Sequence, residues 1–296
     1  MNLEGTEDSA SRFAAYVGEL TSVIGHVDRA RPMRDYCAGL VVTEGRRSVE
    51  PIAAVTAPDE VPVQHQRLLH FVAEAPWSDE PVLAKVRELV VPAIERHGPI
   101  EAWIIDDTSF PKCGSKSVGV QHQYCGQLGK QANCQVAVTL SMANHHASLP
   151  IAYRLDLPEE WAKDSVRRKK ARVPNTITFK TKPEIALEQI RKAYVAGVPR
   201  GAVLIDASYG SNSALRTGIS ALGLKYAAAI VPTVKVRKVS DRGALQARLS
   251  TKQLALRRSS DAPRSDTLRT LTVGIIAATY LSPRALMPVR NAELEP

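Results

Sequence analysis

Two apolar runs that each end in a carboxylate constrain this chain more than any other feature. Trp103, Ile104 and Ile105 lead into Asp106 and Asp107, and Val203, Leu204 and Ile205 lead into Asp206. A short run of bulky apolar residues reads as a strand buried on both faces, and an Asp at its end sits where the sheet opens to solvent. A lone Asp of this kind is usually a turn residue whose side chain caps the backbone. Two of them, brought together from neighbouring strands, offer the hard oxygen donors that Mg²⁺ prefers and that phosphodiester chemistry uses.

The elements around these runs give the order. Up to His97 the pattern is helical: Val82, Leu83, Val86, Leu89 and Val90 recur at helical spacing behind Ser78 and Asp79, and further helices are expected over 13–24, 33–42 and 63–73. Gly98 and Pro99 then punctuate a boundary. Beyond it a strand is expected at 102–105, followed by a connection rich in Gly and Lys. A hairpin of strands at 135–143 and 149–155 turns at Asn144, His145 and His146. A helix at 183–196, a strand at 203–205, a helix at 213–222 and a strand at 226–231 complete the series. The expected class is α/β: a ribonuclease H-like mixed sheet flanked by helices and preceded by a helical N-terminal domain. In that fold the first and fourth strands are neighbours, which would bring Asp106 and Asp206 together. The expected division is 1–98 for the helical domain, 99–235 for the mixed-sheet domain and 236–296 for an irregular tail.

Charge points to the partner. The chain carries 39 Lys and Arg against 30 Asp and Glu, a formal net charge of +9, which favours a polyanion. The positive charge is densest where Lys163, Arg167, Arg168, Lys169, Lys170 and Arg172 face the single Asp164, either as a phosphate-contacting segment or as a solvated connector. Cys37, Cys113, Cys125 and Cys134 are too few and too irregular for a disulfide framework and fit a reducing cytoplasm. Cys113, His122, Cys125 and Cys134 lack the paired spacing of a zinc site, so buried thiols are expected there and no zinc. The N-terminus shows no secretory signal, and the apolar run 273–281 is about half the length that spans a bilayer, so no membrane role is expected.

The run Ile105, Asp106, Asp107, Thr108, Ser109, Phe110, Pro111, Lys112 resembles the opening catalytic strand of bacterial insertion-sequence transposases of the DDE superfamily. Further motifs resemble the same group in order: Ser117 to Val120, Gln123 to Gly126, Gly129-Lys130, Asn133 to Gln135, Leu157 to Trp161, and Asp206 to Gly210. The resemblance implies an enzyme that binds double-stranded DNA at the terminal repeats of its element, cuts it, and joins the freed 3′ hydroxyl to target DNA, with a homodimer in the DNA complex. It implies two Mg²⁺ or Mn²⁺ ions held by acidic side chains, with Asp106 and Asp206 matching the first two acids. Asp107 is the rival for Asp106, since adjacent strand residues point to opposite faces. Lys112, Lys116, Lys130, Arg167, Arg168, Lys169 and Lys170 are the expected phosphate contacts.

The resemblance also implies a third acid, a Glu on a helix beyond the second Asp. After Asp206 the carboxylates are Asp241, Asp261, Asp266, Glu293 and Glu295, none in a credible amphipathic helix. From about Leu256 the chain loses periodicity, as a frameshift would produce. The alternative expectation is therefore a DNA-binding remnant that does not cut. A separate ribonuclease H-like nuclease, completing its site with Asp107, is a third.

Overall fold

The computed structural model describes residues 3–45 and 47–231. The 236–296 tail, the 273–281 run and the late carboxylates Asp241, Asp261, Asp266, Glu293 and Glu295 lie outside them. Among the described residues the chain divides after Pro99 into two compact units.

The N-terminal unit is helical, with α1 (Leu3–Thr21), α2 (Ala30–Val42), α3 (Val49–Thr56), α4 (Val61–Ala73) and α5 (Asp79–Glu95). Ser78 caps α5 through Glu80 N–H, as its position suggested. Two apolar clusters hold the unit. One gathers Leu20, Ile24, Met33 and Phe71, with Trp77 stacked on Phe71 at 5.2 Å. The other gathers Ile52, Ala53 and Leu68. α3 escaped the periodicity reading because its eight residues are two turns, too short to show a helical repeat. It is fastened by α2, where a side chain at Gly39 would run into Ile52.

The second unit is the expected mixed sheet flanked by helices. Its strands are β1 (Ala102–Pro111), β2 (Gln121–Cys125), β3 (Lys130–Ala143), β4 (Ser148–Leu155), β5 (Ala202–Ile205) and β6 (Tyr226–Ala228). Between β4 and β5 lie two short helices, α6 (Glu159–Lys163) and α7 (Ser165–Lys170), and the longer α8 (Lys182–Val195). After β5 come α9 (Ala207–Gly210) and α10 (Ser213–Ala221). The strand order β4, β3, β1, β5, β6, with β1–β3 and β3–β4 antiparallel and β1–β5 and β5–β6 parallel, is the ribonuclease H-like arrangement.

In the helical unit α1 runs over Leu3–Thr21 where a helix over 13–24 was expected, and in the sheet three boundaries differ from expectation. β1 does not stop at Ile105: it continues to Pro111, because its ladder with β3 runs unbroken from Ala102 opposite Ala143 to Pro111 opposite Cys134. Tertiary pairing overrides the weak strand propensity of Asp106, Asp107 and Pro111. The Gly- and Lys-rich connection contains a strand, β2, which pairs with the early residues of β3, so β3 begins at Lys130 and not at 135. β2 and β4 therefore occupy the same edge of β3 in succession. The last strand ends at Ala228, before Val231.

β3 explains the two unlike faces of this sheet. Val136, Val138, Leu140 and Met142 alternate with Ala137, Thr139, Ser141 and Ala143, so one face is bulky and apolar and the other small and polar. α8 packs against β3 and β4, and Gln189 on it donates to the Val138 carbonyl at 2.9 Å. Thr181 and Glu184 close its N-terminus with a capping box.

Candidate metal centre and nucleic-acid interface

The pairing of β1 with β5 ends at Ile105 opposite Ile205, so the next residue on each chain is an Asp. Their surroundings differ. Asp106 stays inside β1 opposite Thr139, whose hydroxyl donates to the Asp106 carbonyl at 2.9 Å. Asp206 leaves the sheet and caps α9: its Oδ1 accepts from Ser208 N–H at 3.0 Å, Ser208 Oγ at 2.6 Å and Tyr209 N–H at 3.2 Å. Gly210 ends this turn where a Cβ would land on the Ala229 carbonyl, so the chain folds back tightly onto the residues after β6.

Asp106 is half-buried, and its carboxyl is held above the ordinary carboxylate range. Burial is the main cause, opposed by the Asp107 N–H that its Oδ1 accepts at 2.7 Å and reinforced by the charges of Asp107 and Asp206. The two strand-end acids thus lie close enough to act on one another.

Asp107 points to the other face, and its carboxylate is fully engaged. Lys182 Nζ, at the start of α8, donates to Oδ2 at 2.7 Å, and the buried Tyr209 hydroxyl donates to Oδ1. The Tyr209 phenol is pushed far above its usual range, first by burial and then by Asp107, Asp206 and Asp106. Asp156, directly after β4, joins this side. It is buried, and its carboxyl is raised by burial, with Lys182 opposing and Asp107 adding. Lys182 and Asp156 were not singled out in the sequence; neither sits in a motif, and only the register of β4 and the start of α8 bring them to Asp107. Tyr209 was visible only as part of a motif.

Asp106 and Asp206 supply oxygen donors of the kind Mg²⁺ and Mn²⁺ accept, and a cation beside them would offset the cost of charging Asp106. Among the described residues, no group of three or more His, Cys, Asp or Glu side chains is arranged to hold a metal ion. Cys125 and Cys134 are buried on the apolar side of β2 and β3, Cys113 is exposed, and His122 is exposed on β2.

The basic residues separate into two kinds. Lys112, Lys116, Lys130, Lys169 and Lys170 are exposed. Arg167 and Arg168 are half-buried and act as staples. Arg167 lies 3.6 Å over the Trp161 ring and donates to the Ser115 carbonyl at 2.6 Å. Arg168 donates to the carbonyls of Ala162 at 3.2 Å, Pro174 at 3.0 Å and Ile177 at 2.6 Å. The segment is thus neither wholly a solvated connector nor wholly a ligand surface: two arginines fold it and the lysines remain outside. No helix among the described residues is long and apolar enough to cross a membrane.

Residues 19–274 match the family model described as DDE superfamily endonuclease, a match that continues past Leu256, where a shifted reading frame was expected. A curated relative, "Probable transposase for insertion sequence element IS701" of Microchaete diplosiphon, is 31% identical over 186 residues, which cover 62% of this chain and 44% of that protein. The chain therefore spans less than half the length of that relative. A ribonuclease H-like sheet with two acids meeting at β1 and β5, together with a family match over most of its length, identifies the chain as a member of the DDE superfamily endonuclease family.

Proposed function

We propose that the chain is the DNA-cutting component of an insertion-sequence transposase, acting by metal-dependent strand cleavage and transfer at element ends. The observation that carries this reading is the convergence of Asp106 and Asp206 one residue beyond the β1–β5 pairing, where burial and the two neighbouring acids raise the Asp106 carboxyl above its ordinary range. In this reading Asp106 and Asp206 are metal ligands. Bound Mg²⁺ or Mn²⁺ would lower the pKa of the attacking water or hydroxyl and steady the leaving oxygen. Water attacks the phosphorus, the bond to the 3′ oxygen breaks, and a 3′ hydroxyl and a 5′ phosphate result. In the joining step that hydroxyl is the attacking group.

Asp107 serves as a positioning residue. It ties Lys182 of α8 to Tyr209 of the turn that Asp206 caps, so the two strand-end acids keep their mutual geometry. Lys112, Lys116, Lys130, Lys169 and Lys170 contact DNA phosphates, while Arg167 and Arg168 hold the shape of that surface. The helical unit, 1–98, binds element ends, and paired ends call for a homodimer in the DNA complex.

The test uses purified chain, duplex DNA carrying the element's ends, and Mg²⁺ or Mn²⁺, beside Asp206→Asn. Asn retains the capping oxygen for Ser208 and Tyr209 but removes the charge. Cleavage that disappears in the variant and on chelation supports the reading. Duplex binding without cleavage by the parent chain overturns the catalytic part and favours a DNA-binding remnant.

A further inference from the structure

The far half of β1, with β2 and the first residues of β3, forms an arm whose two faces differ sharply. One face is dry: Cys125 and Cys134 are 0% exposed and Val136 1%. The other face is set by register. Phe110 stands opposite Gln135, His122 opposite Asn133, and Tyr124 opposite Gln131. Residues opposite one another in an antiparallel pair share a face, as do alternate residues along a strand. Lys112 N–H donates to the Asn133 carbonyl at 2.9 Å, which carries the same alternation to Lys112. Phe110 is 45% and Tyr124 61% exposed. Asp106 belongs to this face too, being even-numbered on the same strand as Phe110.

A single exposed ring is ordinary. Here the rings occupy the wet face while cysteines and valine take the dry one, and the rings are separated by amides and cations. A protein-docking surface would join its apolar side chains into one patch. Rings interleaved with Gln131, Asn133 and Lys112 suit nucleic acid: aromatic faces stack on bases, amides bond base edges, and lysine meets phosphate.

We infer that this face of the arm binds an unpaired DNA strand and leads it toward Asp106, which lies four residues from Phe110, about 13 Å at strand spacing. The inference rests on the proposed DNA-cutting function, and it names the form of the substrate at that site: a strand with exposed bases.

The test is equilibrium binding of the full chain to three labelled probes, a single strand of about 16 nucleotides, the duplex of the same length, and an abasic strand of that length. Phe110→Ala and Tyr124→Ala are each expected to weaken single-strand binding roughly tenfold, the loss of one stacked base, and to leave abasic-strand binding unchanged. Phe110→Trp and Tyr124→Phe keep a ring and should bind as the parent does. Should an alanine variant fail to fold, these two variants and the parent's preference for the base-bearing strand over the abasic strand still decide. Equal binding of base-bearing and abasic strands by the parent, or folded alanine variants that bind normally, overturns the inference. Intact strand binding with no cleavage of end DNA would sink the catalytic reading alone, and cleavage with no preference for bases would sink this one alone.

Discussion

On one side of β1, Asp107 sits between Lys182 and the Tyr209 hydroxyl, with Trp103 and Ile105 buried along the same face. On the other side, one residue earlier, Asp106 has a backbone N–H for one oxygen, a half-buried setting and two like charges nearby. The same residue type thus has its charge answered by the fold on one face and left unanswered on the other. A carboxylate with built-in partners holds structure together; one whose charge is disfavoured is suited to a cation brought from outside.

The largest effect that would test this contrast lies in the packing beneath it. Trp103 is fully buried, with its indole N–H on the Pro199 carbonyl at 2.8 Å, whereas Ile104, on the opposite face, is half-buried. Trp103→Ala is expected to cost about 3–5 kcal/mol and Ile104→Ala roughly 1–2 kcal/mol in urea unfolding. Equal losses would mean that the two faces are equally packed.

Next in size is the Asp107 assembly. Asp107→Asn and Lys182→Met should each destabilise by about 1–3 kcal/mol, because each leaves a half-buried partner without its counter-charge. The double variant should lose less than the two losses added, since both break one interaction. Additive losses would show that Lys182 and Asp107 act separately.

Asp106→Asn should run the other way. A folded-state carboxyl pKa above the ordinary value of 3.8 means that the folded chain holds the proton more tightly than the unfolded one. Stability contributed by Asp106 therefore falls as pH rises from that value through the raised one. At neutral pH Asp106→Asn should match or exceed the parent in stability, and the difference should close as the pH is brought below the ordinary carboxylate range. A loss of stability at neutral pH would refute the assignment of Asp106 as the unanswered charge.

Much of this architecture was legible in the sequence. The runs before Asp106 and Asp206 are apolar enough to be buried on both sides, and the hairpin and α8 carry their own periods, so the strand order followed. What could not be read was the continuation of β1 beyond Ile105. Asp106 to Ser109 have no strand pattern of their own and are extended because β3 pairs with them. The short strand β2 was hidden for the same reason: Gln121 to Cys125 become a strand by pairing with β3. The site was half legible. Asp106, Asp107 and Asp206 stood out as strand-end acids, but Lys182 and Asp156 reach Asp107 only through contacts between distant segments. The arginines of α7 looked like ligands because sequence shows charge and not the carbonyls that Arg167 and Arg168 bind.

The smallest effect gives the finest test of the contrast, because it reverses the sign found at Asp106. Glu188, on the same helix as Lys182, accepts from Lys180 Nζ at 2.6 Å and from Arg154 Nη1 at 3.0 Å, with about a third of its side chain exposed. Its carboxyl is held below the ordinary value of 4.5, chiefly by the Lys180 hydrogen bond, against some burial and with the charges of Lys180, Arg154 and Lys192 assisting. A lowered folded-state pKa gives stability that is present above the ordinary value and lost as pH falls through the lowered one. Glu188→Gln should therefore cost under about 1 kcal/mol at neutral pH, the range of a solvent-screened pair, and the cost should shrink in strong salt. The parent-minus-variant difference should grow with rising pH for Glu188 and decline with rising pH for Asp106. Urea unfolding of both variants across the acid range reads the two slopes directly. Slopes of the same sign would mean that Asp106 is held by partners like any ion-paired carboxylate, and the case for a cation there would go with it.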